Sequence, residues 1–323
     1  MKNNKSIDVF NGDADGLCAL MQWRQVYPQS AQLVSGVKRD NSLLKNIEAG
    51  PGDELLVLDI NFENNRADVV RLLAAGASIR YFDHHYPGVR IEHPALSLTI
   101  DESPQCCTSL LLNQALAGKQ WAWAITGAFG DNLPEVAQAL AANHGLSTEQ
   151  GGSLRKLGEL LNYNGYGNEL ADLHFNPVDL YQALREYAEP FAFIAAADQF
   201  KQLCAGHAED MSAASGLTPQ TQNPGAAVYV LPDQAWARRV IGVWANDLSQ
   251  QYRQRAHLIL CPDGGGSYTA SVRAAQQHPY GASAFCREFP GGGGREAAGG
   301  ITRLAENQLE SVIKRFLTEF PVN

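Results

Sequence analysis

The sequence predicts a two-part α/β protein, with an N-terminal domain built on a parallel sheet and a smaller C-terminal α/β domain. Three observations carry this expectation. Short apolar runs alternate with helix-period segments from residue 6 to residue 82. The alternation restarts at residue 226, after "SGLTPQTQNPG" (215–225), a stretch rich in turn-forming residues. A chain of 323 residues also exceeds what one ordinary core accommodates.

The elements follow in order. "SIDVF" (6–10) reads as a buried strand ending at "NGDADG", and "LCALMQWRQVY" (17–27) has helical spacing. "QLVSGV" (32–37) is a second strand. "ELLVLDI" (54–60) is apolar on both faces until Asp59, as expected of an interior parallel strand. "ENNRADVVRLLAAGA" (63–77) is a helix with Gly76 near its stop, and "SIRYF" (78–82) is the next strand. "CTSLLLNQALAG" (107–118) and "WAWAITGAFGDN" (121–132) are helical. A helical region runs from there to about residue 204, with "NYNGYGN" (162–168) as a loop inside it. The expected division is 1–204 for the first domain with its helical region, 205–225 for a linker and 226–323 for the second domain. In the latter, "AAVYVL" (226–231), "HLILC" (257–261) and "YTASVRA" (268–274) read as strands. Residues 233–252 form an amphipathic helix with Asp233 as N-cap and Trp236, Val240, Trp244, Leu248 and Tyr252 along one face. That stripe reads as core rather than as a base-stacking platform. "GGGG" (291–294) resembles a phosphate loop, and 305–320 closes the chain as a helix.

Composition narrows the function classes. Net charge is −9, which argues against coating long nucleic acid, because phosphate binding relies on clustered Lys and Arg. A short nucleotide substrate remains compatible, since divalent metals can supply positive charge. No run of about 18 apolar residues occurs, so no membrane span is expected. The start "MKNNKSIDVF" lacks the apolar core of a signal peptide. The six cysteines have no zinc-type spacing and read as reduced thiols of a cytoplasmic protein.

The chemistry-bearing residues gather at predicted strand ends. In parallel sheets, sites form at the carboxyl ends of strands, and Asp13, Asp59 and Asp83 all fall there. "NGDADG" sets Asp13 and Asp15 two apart, so both can face one site; the competing reading is a turn that caps the next helix. Asp59 ends an otherwise apolar strand and needs a partner, or else serves as the N-cap of the following helix. Asp83-His84-His85 presents too many polar groups at one strand end for packing alone, and carboxylate plus imidazole suits a divalent ion such as Mn²⁺. Asp131 in "AFGDN" is ordinary turn chemistry by itself. Crowded together, these acids would repel one another unless cations bind, and two divalent ions would resolve that repulsion.

"DADG", the lone acid of "LVLDI", "DHH" and "GDN", in this order, resemble the four motifs of the DHH phosphoesterases. That family includes RecJ-type exonucleases, nanoRNases, cyclic-dinucleotide phosphodiesterases and family II pyrophosphatases. "VRA" and "FPGGGGREAAGG" resemble the C-terminal DHHA1 substrate-binding domain, and the helical middle is the least matched part. The resemblance implies two Mn²⁺ ions, with Mg²⁺ as the substitute. Asp59 would bridge them, Asp13 would hold one, and Asp15, His84 and Asp131 would hold the other. It implies that His85 contacts the substrate phosphate or protonates the leaving oxygen, and that Asp83 orients its neighbours. Arg273, Gly292, Gly293, Gly294 and Arg295 would bind substrate. Two positions depart from the pattern: several relatives carry His where this chain has Val9, and the DHHA1 loop carries His where it has Gly294.

The expected activity is hydrolysis of short oligonucleotides or dinucleotides to nucleoside monophosphates. The rivals are a RecJ-like exonuclease on single-stranded DNA, a non-catalytic nucleotide-binding protein on the same scaffold, and a pyrophosphatase or polyphosphatase.

Overall fold

The computed structural model describes residues 4–320, and the chain divides into two compact units, 1–205 and 206–323. The first unit opens with β1 (Ser6–Phe10), α1 (Ala14–Val26), β2 (Gln32–Val34), β3 (Glu54–Leu58), α2 (Phe62–Ala74), β4 (Ser78–Asp83) and β5 (Leu96–Ile100). Every pairing among these strands is parallel, in the order β2-β1-β3-β4-β5. The chain leaves β1 toward one edge to make β2, then crosses to the other side for β3. The carboxyl ends of β1 and β3 therefore flank the crevice where strand order reverses, the place where open α/β sheets bind ligands.

The apolar faces of β1, β3 and β4 explain the parallel sheet. Ile7, Val9, Leu55, Val57 and Tyr81 pack with Val69 and Leu72 of α2 in one buried cluster. Tyr81 meets Phe62 edge-on, with centroids 5.3 Å apart, and its hydroxyl donates to the Ile60 carbonyl at 2.7 Å. Seven helices complete the unit: α3 (Thr108–Ala115), α4 (Trp121–Gly130), α5 (Pro134–Asn143), α6 (Thr148–Gly165), α7 (Pro177–Leu184), α8 (Pro190–Ala196) and α9 (Asp198–Ser215), the last running past the unit's edge. A capping box between Ser147 and Gln150 starts α6. The "NYNGYGN" stretch, expected as a loop from residue 162, stays helical to Gly165. Asn164 explains part of this: its side chain bonds the backbone of Phe175 in both directions, at 2.9 and 3.0 Å.

The second unit is a mixed sheet of six strands in the order β10-β11-β9-β8-β7-β6. Its elements are β6 (Thr221–Asn223), β7 (Ala226–Val230), α10 (Ala235–Gln251), β8 (Ala256–Pro262), β9 (Ser267–Arg273), α11 (Ala282–Arg287), β10 (Gly292–Arg295), β11 (Ala298–Ala305) and α12 (Leu309–Glu319). Val228, Leu258, Leu260, Val272, Phe285, Ile301 and Phe316 form its core. Val240, Trp244 and Leu248 of α10 are buried, and Trp244 meets Tyr229 edge-on at 4.9 Å, but Trp236 is only partly buried and Tyr252 lies past the helix end and is exposed, so the core stripe is shorter than expected.

Several expectations give way here. Residues 205–225, expected as a linker, hold the end of α9 and the edge strand β6. Asp233 does not cap α10; that position is Gln234, and Asp233 pairs with Arg238 instead. The glycine run is not a loop but β10, paired in register with β11 from Gly292↔Ile301 to Arg295↔Ala298. Packing demands two of its glycines, Gly292 and Gly294. A Cβ on Gly292 would sit 1.7 Å from the Cys286 carbonyl oxygen, and one on Gly294, whose φ is +142°, would sit 2.4 Å from that of Ala298.

His257 is fully buried on β8 and, among the described residues, neither ring nitrogen has a well-formed hydrogen bond. Burial pushes its pKa down to about 4. The folded state thus resists a proton that the unfolded chain takes up near 6.5, so stability is full above that pH and falls as pH drops toward 4. The integrated loss is about 3 kcal/mol. His257→Leu should flatten this acid limb, read as the slope of urea midpoint against pH between those two values; an unchanged slope would reject the assignment.

Candidate active site

The site grows from the ends of three neighbouring strands. After β1, the loop carrying Asp13 and Asp15 turns tightly into α1. A Cβ on Gly16 would lie 2.2 Å from the Asn11 carbonyl oxygen, and one on Gly12 would lie 2.1 Å from that of Gly36. The second contact draws the segment after β2 against this loop. Asp13 is the N-cap of α1, its Oδ1 accepting from the amides of Asp15 at 3.0 Å and Gly16 at 3.1 Å. Its Oδ2 receives the Lys38 ammonium at 2.5 Å.

Asp15 is fully buried and turned the other way. Its two oxygens accept from the amides of Thr108 and Ser109, each at 2.7 Å, at the N-terminus of α3. Each oxygen keeps a further lone pair for a cation.

Asp59 follows β3 with φ +58°, a conformation that costs a non-glycine residue energy and recurs at functional sites. It does not cap α2; Asn61 does, accepting from the Asn64 amide at 2.9 Å. The Asp59 carboxylate instead accepts from the Thr108 hydroxyl at 3.1 Å and lies 3.4 Å from His84 Nε2.

Asp83 ends β4 fully buried. Its Oδ1 accepts from the amides of His84 at 2.9 Å and His85 at 3.2 Å and meets His85 Nδ1 at 2.7 Å, while Oδ2 takes the Phe62 amide at 3.1 Å. Its donors are the two histidines that follow it and the first residue of α2, so it fixes the turn and the His85 ring rather than facing the other acids. With Nδ1 held, Nε2 is the His85 atom left for a ligand.

His84 turns inward. Its Nε2 lies 3.4 Å from Asp59, 3.7 Å from Asp131 and 4.0 Å from Asp15. Asp131, at the C-cap of α4, thus closes the site from the helical side. Among the described residues, ligand atoms of Asp15, His84 and Asp131 lie within 4.8 Å of one another, as do those of Asp59, His84 and His85. Carboxylates with one or two imidazoles form a donor set that fits Mn²⁺ or Mg²⁺.

Electrostatics record the crowding. Burial and the charges of Asp15 and Asp13 push the Asp59 pKa well above the carboxylate range. Burial lifts Asp131 to about 6, with Lys38 and His84 opposing and Asp15 adding to the rise. Burial alone would lower His84, but Asp59, Asp15 and Asp131 carry it to about 10. Asp13 goes the other way: burial would raise its pKa, but Lys38 and the Gly16 amide bring it below the usual value. Four carboxylates face one inward imidazole and the Lys38 ammonium, and that crowding of acids is the condition that favours a bound cation.

The structure therefore brings Asp13, Asp15, Asp59, His84 and Asp131 together, with Asp83 behind His85. In the second unit, Arg295 is exposed on β10 and shares a sheet row with Ala298 and Arg273. Arg273 donates to Asn246 at 2.7 Å, Ser271 at 3.0 Å and two backbone carbonyls. Sequence reasoning missed Thr108, Ser109, Lys38 and Asn162. Lys38 stands just past the second strand, where the strand-end rule applied to Asp13 and Asp59 would have found it.

No protein-family profile and no curated protein matches the sequence. Solved structures do match. Manganese-bound exonuclease RecJ aligns over 99% of this chain and 92% of its own, with TM-score 0.59 and 20% identity. RecJ in complex with Mn²⁺ from Thermus thermophilus aligns at TM-score 0.60 and 19% identity, this chain covering 53% of it. The pGpG-specific phosphodiesterase PggH from Vibrio cholerae aligns over 98% of both chains, with TM-score 0.52 and 13% identity. The chain has the RecJ-like fold of DHH/DHHA1 proteins.

Asp83→Ala would strand three buried or half-buried amides and should cost about 3 kcal/mol or more. His85→Ala, at a half-exposed ring, should stay within about 1 kcal/mol. Urea unfolding of both variants checks the contrast, and equal losses would reject the anchoring role of Asp83.

Proposed function

We propose that this chain is a metal-dependent phosphoesterase that hydrolyses short oligonucleotides or dinucleotides to nucleoside monophosphates, with Mn²⁺ as the working ion and Mg²⁺ as a substitute. The observation that carries the proposal is the convergence of Asp15, Asp59, His84 and Asp131, from different strand and helix ends, on one point. The fold supports it: among proteins of this fold are manganese-bound RecJ and a phosphodiesterase specific for pGpG.

Asp15, Asp59, His84 and Asp131 would hold the metal. The chemistry a divalent ion supplies when bound is Lewis acidity, which offsets phosphate charge and makes water a better nucleophile. The chain's own residues do the rest. Asp83 locks His85 Nδ1, so Nε2 contacts a phosphate oxygen or passes a proton to the leaving oxygen. Thr108 holds the Asp59 carboxylate in place. In the second unit, Arg295 and Arg273, with the backbone of Gly292, Gly293 and Gly294, bind the substrate's phosphate or base edge. The chain's net charge of −9 favours short substrates over long strands, which need many phosphate contacts. No helix among the described residues is long and apolar enough to cross a membrane. We place the enzyme in the cytoplasm, a compartment that suits six cysteines none of which forms a disulfide among the described residues.

Incubation with Mn²⁺ and a panel of dinucleotides, cyclic dinucleotides and labelled single strands of graded length, read by mass spectrometry, tests the reading. Nucleoside monophosphates should appear fastest from the shortest substrates and vanish with a chelator. His84→Ala and Asp59→Ala should each lower the rate about 10³-fold or more, and Asp83→Asn about 10- to 100-fold. Faster cleavage of long strands with steep salt dependence would point to a RecJ-like exonuclease instead. No turnover on any phosphodiester would favour a binding protein.

A further inference from the structure

The Asp13 side of the cluster is built differently from the His84 side. The Lys38 ammonium lies 2.5 Å from Asp13 Oδ2, 2.8 Å from Asn162 Oδ1 and 3.8 Å from Asp131 Oδ1, and 5.6 Å from the centre of the Tyr166 ring. Its side chain is 24% exposed, so this is a lined socket and not a surface ion pair. The backbone is pinned as well. The Lys38 amide donates to the Gly165 carbonyl at 2.8 Å, and its carbonyl accepts from Asn11 at 3.4 Å. The Gly12–Gly36 approach holds the same segment against the Asp13 loop.

Asp13 keeps a single open lone pair, on the oxygen that already faces the ammonium. Two amides occupy Oδ1 and the ammonium occupies Oδ2. The neighbouring residues do not make up the shortfall. Val9 is fully buried in the apolar cluster under the sheet, and the Asn11 side-chain oxygen accepts from the Asp13 amide at 3.3 Å. A divalent ion needs several oxygen or nitrogen ligands at short range, whereas an ammonium is satisfied by two or three acceptors.

We propose that Lys38 permanently takes the place of one metal ion, so that this chain binds a single divalent cation, on Asp15, Asp59, His84 and Asp131. The inference rests on the metal-dependent reading above and replaces the two-ion count that the family resemblance implies. Asp13 then serves as the anchor of a built-in cation and the cap of α1, not as a metal ligand. Positive charge next to the metal is supplied by the chain itself, at a fixed position and independent of metal concentration.

The test counts ions. Full-length protein stripped with a chelator is titrated with Mn²⁺ and read by calorimetry and by electron paramagnetic resonance. The wild type should bind one Mn²⁺ per chain and show the spectrum of an isolated ion. Lys38→Ala frees the oxygens of Asp13, Asn162 and Asp131 and should bind two, with the broadened signal of a coupled pair and a larger rise in Tm on Mn²⁺ addition. Lys38→Arg, which keeps the charge, should stay at one. Two ions in the wild type would overturn the substitution while leaving the metal-dependent reading intact. One ion in both wild type and Lys38→Ala would also overturn it, because Lys38 would then not be what excludes the second. No Mn²⁺ binding in the wild type would overturn both readings. If Lys38→Ala does not fold, Lys38→Met, which keeps the side-chain stem and removes the charge, takes its place in the count.

Discussion

The architecture of the first unit follows from having to bury three carboxylates side by side. Asp13, Asp15 and Asp59 are each at most 2% exposed. A buried carboxylate without compensation is among the costliest arrangements a fold can hold. Each receives a different answer. The amides that open α1 and the Lys38 ammonium meet Asp13, the amides that open α3 meet Asp15, and a hydroxyl and an imidazole meet Asp59. Those answers fix where α1 and α3 start and why the segment after β2 must lie against the β1 loop. They also fix which side chain may follow Cys107: Thr108 supplies an amide to Asp15 and a hydroxyl to Asp59 at once. The compensation holds each carboxylate in position without fully neutralising the set, which is what a cation site requires.

Asp59 shows how local strain serves this arrangement. Its left-handed backbone bends the chain immediately after β3, and the Asp59 amide still bonds the Phe82 carbonyl of the neighbouring strand at 3.0 Å. The bend separates two tasks that sequence reading could not tell apart. Asn61 caps α2, so the Asp59 carboxylate is released to face Thr108 and His84.

What the chain's order reveals, and what it hides, divides by sequence distance. The strand-helix alternation through Asp83 and the gathering of Asp13, Asp59 and Asp83 at strand ends are local patterns, legible from apolar runs and the rule for parallel sheets. The inward-facing role of His84 and the supporting role of Asp83 came from a resemblance to known motifs, and the positions of both residues fit those roles without testing them. The partners that make the site work are remote: Thr108 and Ser109 lie over ninety residues from Asp15, and Asn162 lies 124 residues from Lys38. No periodicity reports such a pairing. The glycine run failed for another reason. Its composition reads as flexibility, yet α11 crowds Gly292 and β11 crowds Gly294, a packing demand that composition does not distinguish from a loop.

Under the proposed function, the second unit would bear on substrate size through how its arginines are held. Arg239 is paired with Asp210 at 2.7 Å, and Arg273 is clamped by Asn246, Ser271 and backbone carbonyls. Such a guanidinium is already ordered, so little side-chain entropy is lost when a phosphate arrives. An ordered Arg273 and an exposed Arg295, separated by one strand on the same sheet row, span about 10 Å. If both contact substrate as proposed, that spacing would match one or two nucleotides rather than an extended strand. A long nucleic acid would need a continued track of cations, and a chain with net charge −9 has few to spare for one. The same economy of charge is visible in the first unit, where a single lysine, held by an aspartate and an asparagine from opposite ends of the domain's sequence, is fitted to one buried carboxylate.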